Sequence, residues 1–324
     1  MTGVIMKKKF NILCLLIILI ISTSGCTSQE ELLTKELEVY ITNAQRSVAQ
    51  LKDHIDKGLV KNTGILKMYA DTVKNSETEF IELINALALD STSRGPIYLG
   101  LADRLKTSLA LSKSAPANGK LATENVAQEL ALISDAANPA IYNMMLTDPI
   151  NVIADISNGK LPRIEALSKE ASDRANGIAD SETGNQLVGN PNYGNWQRRN
   201  DGTSFWAWYG MYSMFSNFGR PIYYSSWSNN RGYSYYNDYG RSHYTSPSQF
   251  KNQRATQATV KNKFQKSGKK FTSPYAKKRI GGSSTSAKPR PTKAKFSSAY
   301  KKSSSQSTTR NSSSRTSRSG RRGK

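Results

Sequence analysis

Hydrophobic residues in the first two thirds of the chain recur every three or four positions, which is the spacing of an amphipathic helix. The clearest example runs through Leu33, Leu37 and Leu51 and places these side chains on one helix face. Further segments with this spacing lie within residues 66–87, 97–109, 126–137 and 161–171. We therefore predict an all-α fold for residues 26–190, a helical bundle of four to six helices.

A long coiled-coil stalk is the alternative to a bundle, because the first amphipathic segment is itself long. Pro139 and Pro149 interrupt the pattern, and Asn158-Gly159 has the composition of a helix end. About 160 residues are enough to bury one core. These breaks favour several packed helices over an uninterrupted rod.

Residues 191–250 have a different pattern, in which aromatic side chains alternate with Gly, Asn, Ser and Arg. Eighteen aromatic residues lie here, including all four Trp. Residues 203–218 contain no charge, and a helix over them would bring the small residues Ala207, Gly210 and Ser213 onto one face. We predict a short helix over 203–218 that docks on the bundle, a partner or a membrane surface.

Residues 251–324 have the composition of a disordered basic tail. They contain 22 Lys and Arg, many Ser and Thr, and few apolar residues. Such a segment buries too little apolar surface to offset the entropy lost on ordering. We therefore predict a disordered Lys/Arg/Ser-rich tail that begins at Lys251.

Charge divides the chain into two unequal parts. Residues 28–190 hold 22 of the 24 acidic residues, whereas residues 191–324 hold 27 of the 46 Lys and Arg. No acidic residue follows Asp238. An asymmetry of this kind indicates separate roles for the two parts, with the basic part seeking an anionic partner.

The N-terminal residues have the organisation of a secretory signal peptide, which we assign to residues 1–25. Three lysines at positions 7–9 precede an apolar run over residues 12–21, and small residues follow. A transmembrane anchor is the alternative. Ten apolar residues span only about 15 Å as a helix, against about 30 Å of hydrocarbon, so the signal peptide is favoured.

Ser24-Gly25-Cys26 resembles the lipobox of bacterial lipoproteins. The resemblance implies that Cys26 carries acyl chains such as palmitate and becomes the first residue after cleavage. Cys14 leaves with the signal, so lipidation would explain the single remaining cysteine; a free thiol is the alternative. By resemblance to the Gram-negative sorting rule, Thr27 favours the periplasmic face of the outer membrane over the inner membrane.

Catalytic and metal-binding residue types are sparse. His54 and His243 are far apart in sequence, and Glu79 and Glu82 fit a solvated helix surface. The sequence has no nucleophile elbow, P-loop or dinucleotide-binding fingerprint, and no clustered metal ligands. We predict a non-enzymatic protein without a metal or cofactor.

Residues that suit binding are abundant between 191 and 250. Aromatic rings interleaved with Arg suit stacking on nucleic-acid bases, contact with sugar rings or a membrane–water interface; alternatively, the rings pack on one another or on the bundle. The candidate binding residues are Trp196, Arg198, Arg199, Trp206, Trp208, Tyr209, Tyr212, Phe215, Arg220, Trp227, Arg231 and Arg241.

These features lead to two functional hypotheses. In the first, a lipid-anchored envelope protein uses its aromatic and cationic C-terminal arm to bind an anionic envelope polymer, a lipid or an acidic protein. In the second, the same arm binds extracellular or imported DNA. The export signal disfavours cytoplasmic nucleic acid, so the first hypothesis is preferred.

Overall fold

The described part of the chain is mostly helical and contains one two-stranded sheet, so the fold is not purely all-α. The signal-peptide region and Cys26 lie outside the described residues, as do residues 284–324 of the predicted disordered tail. The computed structural model describes residues 29–178, 182–217, 219–275 and 279–283.

The predicted helical character of the acidic part is confirmed, but its described residues form eight α-helices rather than four to six. The additional helices arise because prolines and 3₁₀ turns divide the amphipathic segments into shorter pieces. The helices are α1 (Gln29–Asp56), α2 (Lys61–Val73), α3 (Ile81–Ala88), α4 (Pro96–Ser112), α5 (Lys120–Ala136), α6 (Pro139–Met145), α7 (Thr147–Ile156) and α8 (Lys169–Asn176).

The core of this helical part forms where α1 packs on α4 and α5, and where α2 and α3 pack on α7. Leu37 and Leu51 of α1 are buried, as their spacing predicts. Helix α7 is enclosed on nearly all sides, with Ile150, Val152 and Ile153 completely shielded from solvent. A helix that is apolar around most of its circumference is typical of a buried core element.

The predicted helix within residues 161–171 begins later than expected, at Lys169. Ser168 caps the start of α8 because its hydroxyl accepts a hydrogen bond from the Ala171 amide at 3.2 Å. Upstream, the Ile164 amide donates to Asn151 Oδ1 at 2.8 Å, and Asn151 Nδ2 donates to the Ile164 carbonyl at 3.1 Å. A core side chain therefore binds this backbone in place of helical hydrogen bonds.

The aromatic part, residues 191–283, packs against the helical part and contains both strands of the sheet. Its strands pair in antiparallel register, with Trp196 opposite Trp206. The elements are β1 (Gly194–Arg198), β2 (Ser204–Trp208), α9 (Tyr224–Asn230), α10 (Arg241–Tyr244) and α11 (Pro247–Lys266), with a 3₁₀ turn over Gly210–Ser216 and a π turn over Tyr236–Gly240.

The predicted helix over residues 203–218 is wrong. Its first half is strand β2, and its second half is a 3₁₀ turn that begins at Gly210, whose φ is +49°. The Trp206 amide donates to the Ile222 carbonyl at 2.8 Å, on the side of β2 away from β1. Backbone partners on both sides fix an extended conformation that the local sequence does not reveal.

The predicted start of disorder at Lys251 is also wrong, because α11 continues to Lys266. Ser246 and Gln249 form a capping box at its N-terminus: the Gln249 amide donates to Ser246 Oγ at 3.3 Å, and the Ser246 amide donates to Gln249 Oε1 at 2.9 Å. Val260 is buried against the aromatic rings. The helix is therefore stabilised by a local cap and by tertiary packing.

After α11 the chain returns to the helical part. The Leu167 amide donates to the Gly281 carbonyl at 2.6 Å, and the Ser283 amide donates to the Glu165 carbonyl at 3.0 Å. These contacts fix residues 279–283 beside the start of α8. The described residues thus form a single compact unit.

Candidate binding surface

Three tryptophans form the centre of a second, smaller core in the aromatic part. The Trp196 ring lies 5.1 Å from Trp206, 4.7 Å from Tyr224 and 5.1 Å from Trp227, centroid to centroid. The Trp227 ring is also 6.0 Å from that of Tyr275. Most of these pairs are edge-to-face, the arrangement that the ring quadrupoles favour. The alternative in which the rings pack on one another therefore accounts for Trp206 and Trp227, which are both buried.

A buried ion pair holds the turn that follows α9. Arg231 and Asp238 are almost completely shielded, and their side chains meet at 2.6 Å and 3.2 Å. The Arg231 guanidinium also donates to the Pro274 carbonyl at 2.7 Å. The Arg231 charge is thus paired internally and does not reach solvent.

Asp148 of α7 binds the aromatic part to the helical core. Its carboxylate accepts hydrogen bonds from the Tyr235 amide at 2.8 Å, the Tyr236 amide at 2.9 Å and Ser234 Oγ at 2.9 Å. Complete burial raises the pKa of Asp148 to about 7, although the three donors oppose this shift. The acid caps a backbone turn of the neighbouring segment.

Asp90 makes a similar connection on another side of the core. It accepts a hydrogen bond from the Tyr193 hydroxyl at 2.7 Å and from the Ile97 amide at 3.0 Å. Burial raises its pKa to about 7. Arg104 of α4 pairs with Glu129 at 2.8 Å and donates to the carbonyl of His243.

His243 does not have the setting of an exposed acid–base group. Its side chain is buried, and burial, followed in importance by the charge of Arg104, lowers its pKa to about 4. His54 lies far from His243 in the sequence, in the last turn of α1. No group of three or more His, Cys, Asp or Glu residues suited to a metal occurs within the described ranges.

The β-hairpin and α11 lie side by side and together line two depressions, which we call the two ends of the hairpin–α11 seam. Its neutral end is a pocket of about 180 Å³, bordered by Trp196, Tyr209 and Asn252. Its cationic end is a groove of about 400 Å³, bordered by Arg198 and Lys263. The seam therefore joins two chemically different surfaces.

The cationic end carries exposed side chains from both elements. Arg198 comes from β1, Lys263 and Lys266 come from α11, and Lys269 borders an adjoining groove that also contains Lys263. Asp201 is the single acidic residue lining these two grooves, and hydrogen bonds from Thr203, helped by Lys263 and Arg199, hold its pKa below its usual value. The surface is thus strongly positive.

The candidate binding residues occupy very different environments. Arg199 is exposed, and its guanidinium lies over the rings of Phe205 and Tyr223; Arg241 lies over Tyr275, 3.6 Å from the centroid. The exposed candidates are Arg198, Arg199, Tyr209 and Arg220; the half-buried ones are Trp196, Trp208 and Arg241; and the buried ones are Trp206, Tyr212, Phe215, Trp227 and Arg231.

Helix α11, which supplies one wall of the seam, is not among the elements predicted from the sequence. Lys263, Lys266 and Asn252 were assigned to a disordered tail and were not candidates. The capping box Ser246-Pro247-Ser248-Gln249 was the available signal, because a Pro at the first helical position after a Ser cap is typical of a helix start.

Comparisons with known proteins give no relative for this chain: no family model matches it, and neither does any curated protein or solved structure. Within the described part of the chain, no helix is both long enough and apolar enough to cross a membrane.

Proposed function

We propose that this protein is an exported, lipid-anchored cell-envelope protein that binds an anionic envelope component through its basic C-terminal half. The observation that carries the proposal is the concentration of exposed cations at the cationic end of the hairpin–α11 seam. Arg198, Lys263, Lys266 and Lys269 lie there with Asp201 as the single acidic neighbour lining the two grooves. The binding role is non-catalytic.

The cations of this surface are carried by folded elements. The packed aromatic rings hold the hairpin, and the capping box with Val260 holds α11. Because the backbone that carries these cations is already ordered, binding does not require the chain to order, and this reduces the entropic cost of association. Fixed cations would therefore give the folded body an affinity of its own.

The basic residues beyond Ser283 would extend this surface. The last described residues lie beside α8, where Gly281 and Ser283 are bound to the helical part. Each basic side chain close to an anionic surface contributes about 1 kcal/mol, and salt screens the attraction. We expect the folded surface to give a first attachment and the tail to strengthen it.

The lipid anchor at Cys26 is a separate part of the proposal and has its own test. Metabolic labelling with a palmitate analogue should mark the wild-type protein, and the Cys26→Ser variant should remain unlabelled in the soluble fraction. In a Gram-negative host, we expect the labelled protein at the outer membrane because Thr27 follows the cysteine. Equal labelling of both forms would contradict lipidation at Cys26.

Co-sedimentation tests the binding role without the anchor. The mature Cys26→Ser protein and a chain that ends at Ser283 are mixed with isolated envelope membranes at low and at high salt. Both should sediment at low salt, the full chain more completely, and both should be released at high salt. A chain that ends before α11 is unsuitable, because α11 belongs to the folded unit.

Two results would overturn the proposal. Failure of both forms to sediment at low salt would exclude an anionic envelope component. Release of the bound protein by a short DNA duplex, at concentrations where polyglutamate has no effect, would instead support the DNA-binding alternative.

A further inference from the structure

The neutral end of the hairpin–α11 seam has a composition unlike the rest of the basic half. The pocket is lined by aromatic rings, amides, a hydroxyl, a proline and glycines, and no charged side chain borders it. Lys251 and Arg254 lie on the same stretch of α11 but do not line the pocket. In a part of the chain with 27 basic residues, a pocket without charge indicates a neutral ligand group.

Aromatic rings supply flat walls for that group. Tyr209 is 45% exposed, and the Trp196 ring is half-buried at the pocket edge. Gly194 lies beneath the Trp206 ring, where an added Cβ would come within 2.8 Å of the indole. The glycine therefore lets the indole lie directly against the hairpin backbone. Such amphipathic rings give large contact area at low entropic cost.

Hydrogen-bonding groups surround the rings. Asn195 and Asn252 are exposed at the pocket, and an amide offers both donors and acceptors. Gln249 uses its oxygen to accept from the Ser246 amide, so its nitrogen remains available to donate. Gln253 forms a fixed floor, because it donates to the Gly189 carbonyl and accepts from Arg241.

An unpartnered donor is also buried here. The Nε1 atom of Trp206 has no hydrogen-bond partner, and this side chain is 95% shielded, with 5% exposed. A buried donor without a partner is destabilising relative to one that is hydrogen-bonded. The Trp206 side chain borders the pocket, but this nitrogen is itself shielded, so the ligand contacts are assigned to the amides and the exposed rings instead.

The pocket is small and lies close to the cationic end. Its volume of about 180 Å³ is below the roughly 300–1,000 Å³ of a drug-sized site, so it suits one ring and not a longer segment. Along α11, Lys263 lies eleven positions after Asn252, which corresponds to about 16 Å at about 1.5 Å per residue. A polymer with a ring in the pocket would carry its charged groups to Lys263.

The geometry points to an acidic glycan as the ligand of the seam: one sugar ring occupies the neutral pocket, and carboxylate or phosphate groups of neighbouring units contact Arg198, Lys263 and Lys266. This inference rests on the proposed function and specifies the anionic component as a polysaccharide. The sugar hydroxyls pair with the amides, and the apolar face of the ring lies against the aromatic walls.

The test compares two polyanions that differ in whether they contain sugar rings. The mature Cys26→Ser chain is titrated with hyaluronan oligosaccharides and with polyglutamate of matched charge. Asn252→Ala and Tyr209→Ala should each weaken hyaluronan binding by about threefold to tenfold, the value of one lost hydrogen bond or ring contact. Binding of polyglutamate should not change.

Matched control variants lie nearby. Gln265→Ala removes another exposed amide from α11, and Met211→Ala removes another exposed apolar side chain close to Tyr209. Neither residue borders the pocket. Both variants should bind the two probes as the wild type does.

Equal effects of the pocket variants on both probes, or no effect on either, would overturn the glycan inference and leave the proposed function standing. A selective loss of single-stranded DNA binding in Tyr209→Ala would also overturn it, since the ring would then stack on bases. If neither probe binds the wild-type chain, the proposed function fails as well.

Discussion

Arg231 and Asp238 form an ion pair within the aromatic part, and additional hydrogen bonds compensate each charge. Asp238 accepts from the Ser234 amide at 3.2 Å and from the Arg279 amide at 3.1 Å, in addition to its partner. A buried pair of this kind contributes little net stability, but removal of one partner leaves an uncompensated charge. The pair therefore constrains the path of the chain after α9.

Asp238→Ala should lower the free energy of unfolding by about 3–5 kcal/mol, because the Arg231 charge would stay buried without a partner. Urea denaturation followed by tryptophan fluorescence measures this loss. Asp53→Ala is the control, since Asp53 pairs with Lys57 on the solvent-exposed side of α1, and it should leave stability nearly unchanged. Equal losses in the two variants would show that the buried pair has no special role.

Asp90 and Asp148 give the protein a pH-dependent stability. Burial raises the pKa of Asp90 from 3.8 to about 7, so the folded state holds a proton that the unfolded state has released. The corresponding stabilisation is present in full below about pH 4 and is lost as the pH rises through about 7. A shift of this size corresponds to about 4 kcal/mol.

Asp90→Asn should remove the Asp90 part of this pH dependence. The amide keeps an oxygen for the Ile97 amide, and its nitrogen can donate to the Tyr193 hydroxyl, which is able to accept. Relative to the wild type, the variant should gain stability as the pH rises from about 4 to 8. Urea unfolding across this range tests it, and parallel pH profiles for the two proteins would contradict the assignment.

The burial of apolar side chains such as Leu37 and Leu51 can be predicted from the sequence, whereas the burial of the Arg231 side chain cannot. Apolar burial follows from local periodicity, which the sequence displays directly. The burial of Arg231 depends on Asp238 and on the Pro274 carbonyl, which is 43 residues away. From the sequence alone, an arginine among aromatic residues is therefore predicted to bind a ligand, because its internal partners cannot be identified.

At the scale of elements, the segment over residues 203–218 shows where local patterns fail. Its small and aromatic residues are compatible with both a helix and an extended strand. The first half of the segment forms a strand because β1 and Ile222 supply backbone hydrogen-bond partners on both sides. For α11 the prediction is wrong in a different way, because an ordered helix was expected to be disordered. Its composition indicated disorder, whereas the capping box and Val260 stabilise it.

Gly194→Ala should destabilise the hairpin, because a Cβ at this position would lie 2.4 Å from the Ala207 carbonyl and 2.8 Å from the Trp206 ring. We expect a loss of about 1–3 kcal/mol together with a reduced near-ultraviolet dichroism of the tryptophans. The control is Gly64→Ala in α2, where a Cβ meets no atom within 4 Å. Its effect should be neutral or stabilising, since Ala favours a helix over Gly.

If Gly194→Ala has the stability and the tryptophan signal of the wild type, close contact between the hairpin backbone and the indole is not required for the fold. A loss of stability without a change in the tryptophan signal would place the strain outside the aromatic core.

In the molecule as a whole, the acidic part and the described residues of the basic part belong to one compact unit. Asp148 and Asp90 bind the aromatic part from within the helical core, and Gly281 and Ser283 return to the start of α8. The charge asymmetry divides the sequence into two parts of different composition, but it does not indicate that the two parts pack against each other. Long-range hydrogen bonds of buried acids leave no local pattern in the sequence.

This integration gives the proposed binding role its physical basis. The helical part and the aromatic core together hold the hairpin and α11 in fixed positions, so that Arg198, Lys263 and Lys266 present their charges from one surface. We propose that this folded surface, and not charge in general, attaches the protein to an anionic envelope component.

Salt-dependent co-sedimentation of two charge-matched variants tests this claim most directly. One variant carries Lys263→Gln, Lys266→Gln and Lys269→Gln on the cationic end; the other carries three equivalent changes at exposed lysines of the helical part, namely Lys106→Gln, Lys113→Gln and Lys120→Gln.

Both variants lose the same net charge, so any difference between them reports the position of that charge. We expect the cationic-end variant to leave envelope membranes at clearly lower salt than the wild type, and the helical-part variant to be released at the same salt concentration as the wild type. Release of the two variants at the same salt concentration would contradict this proposal.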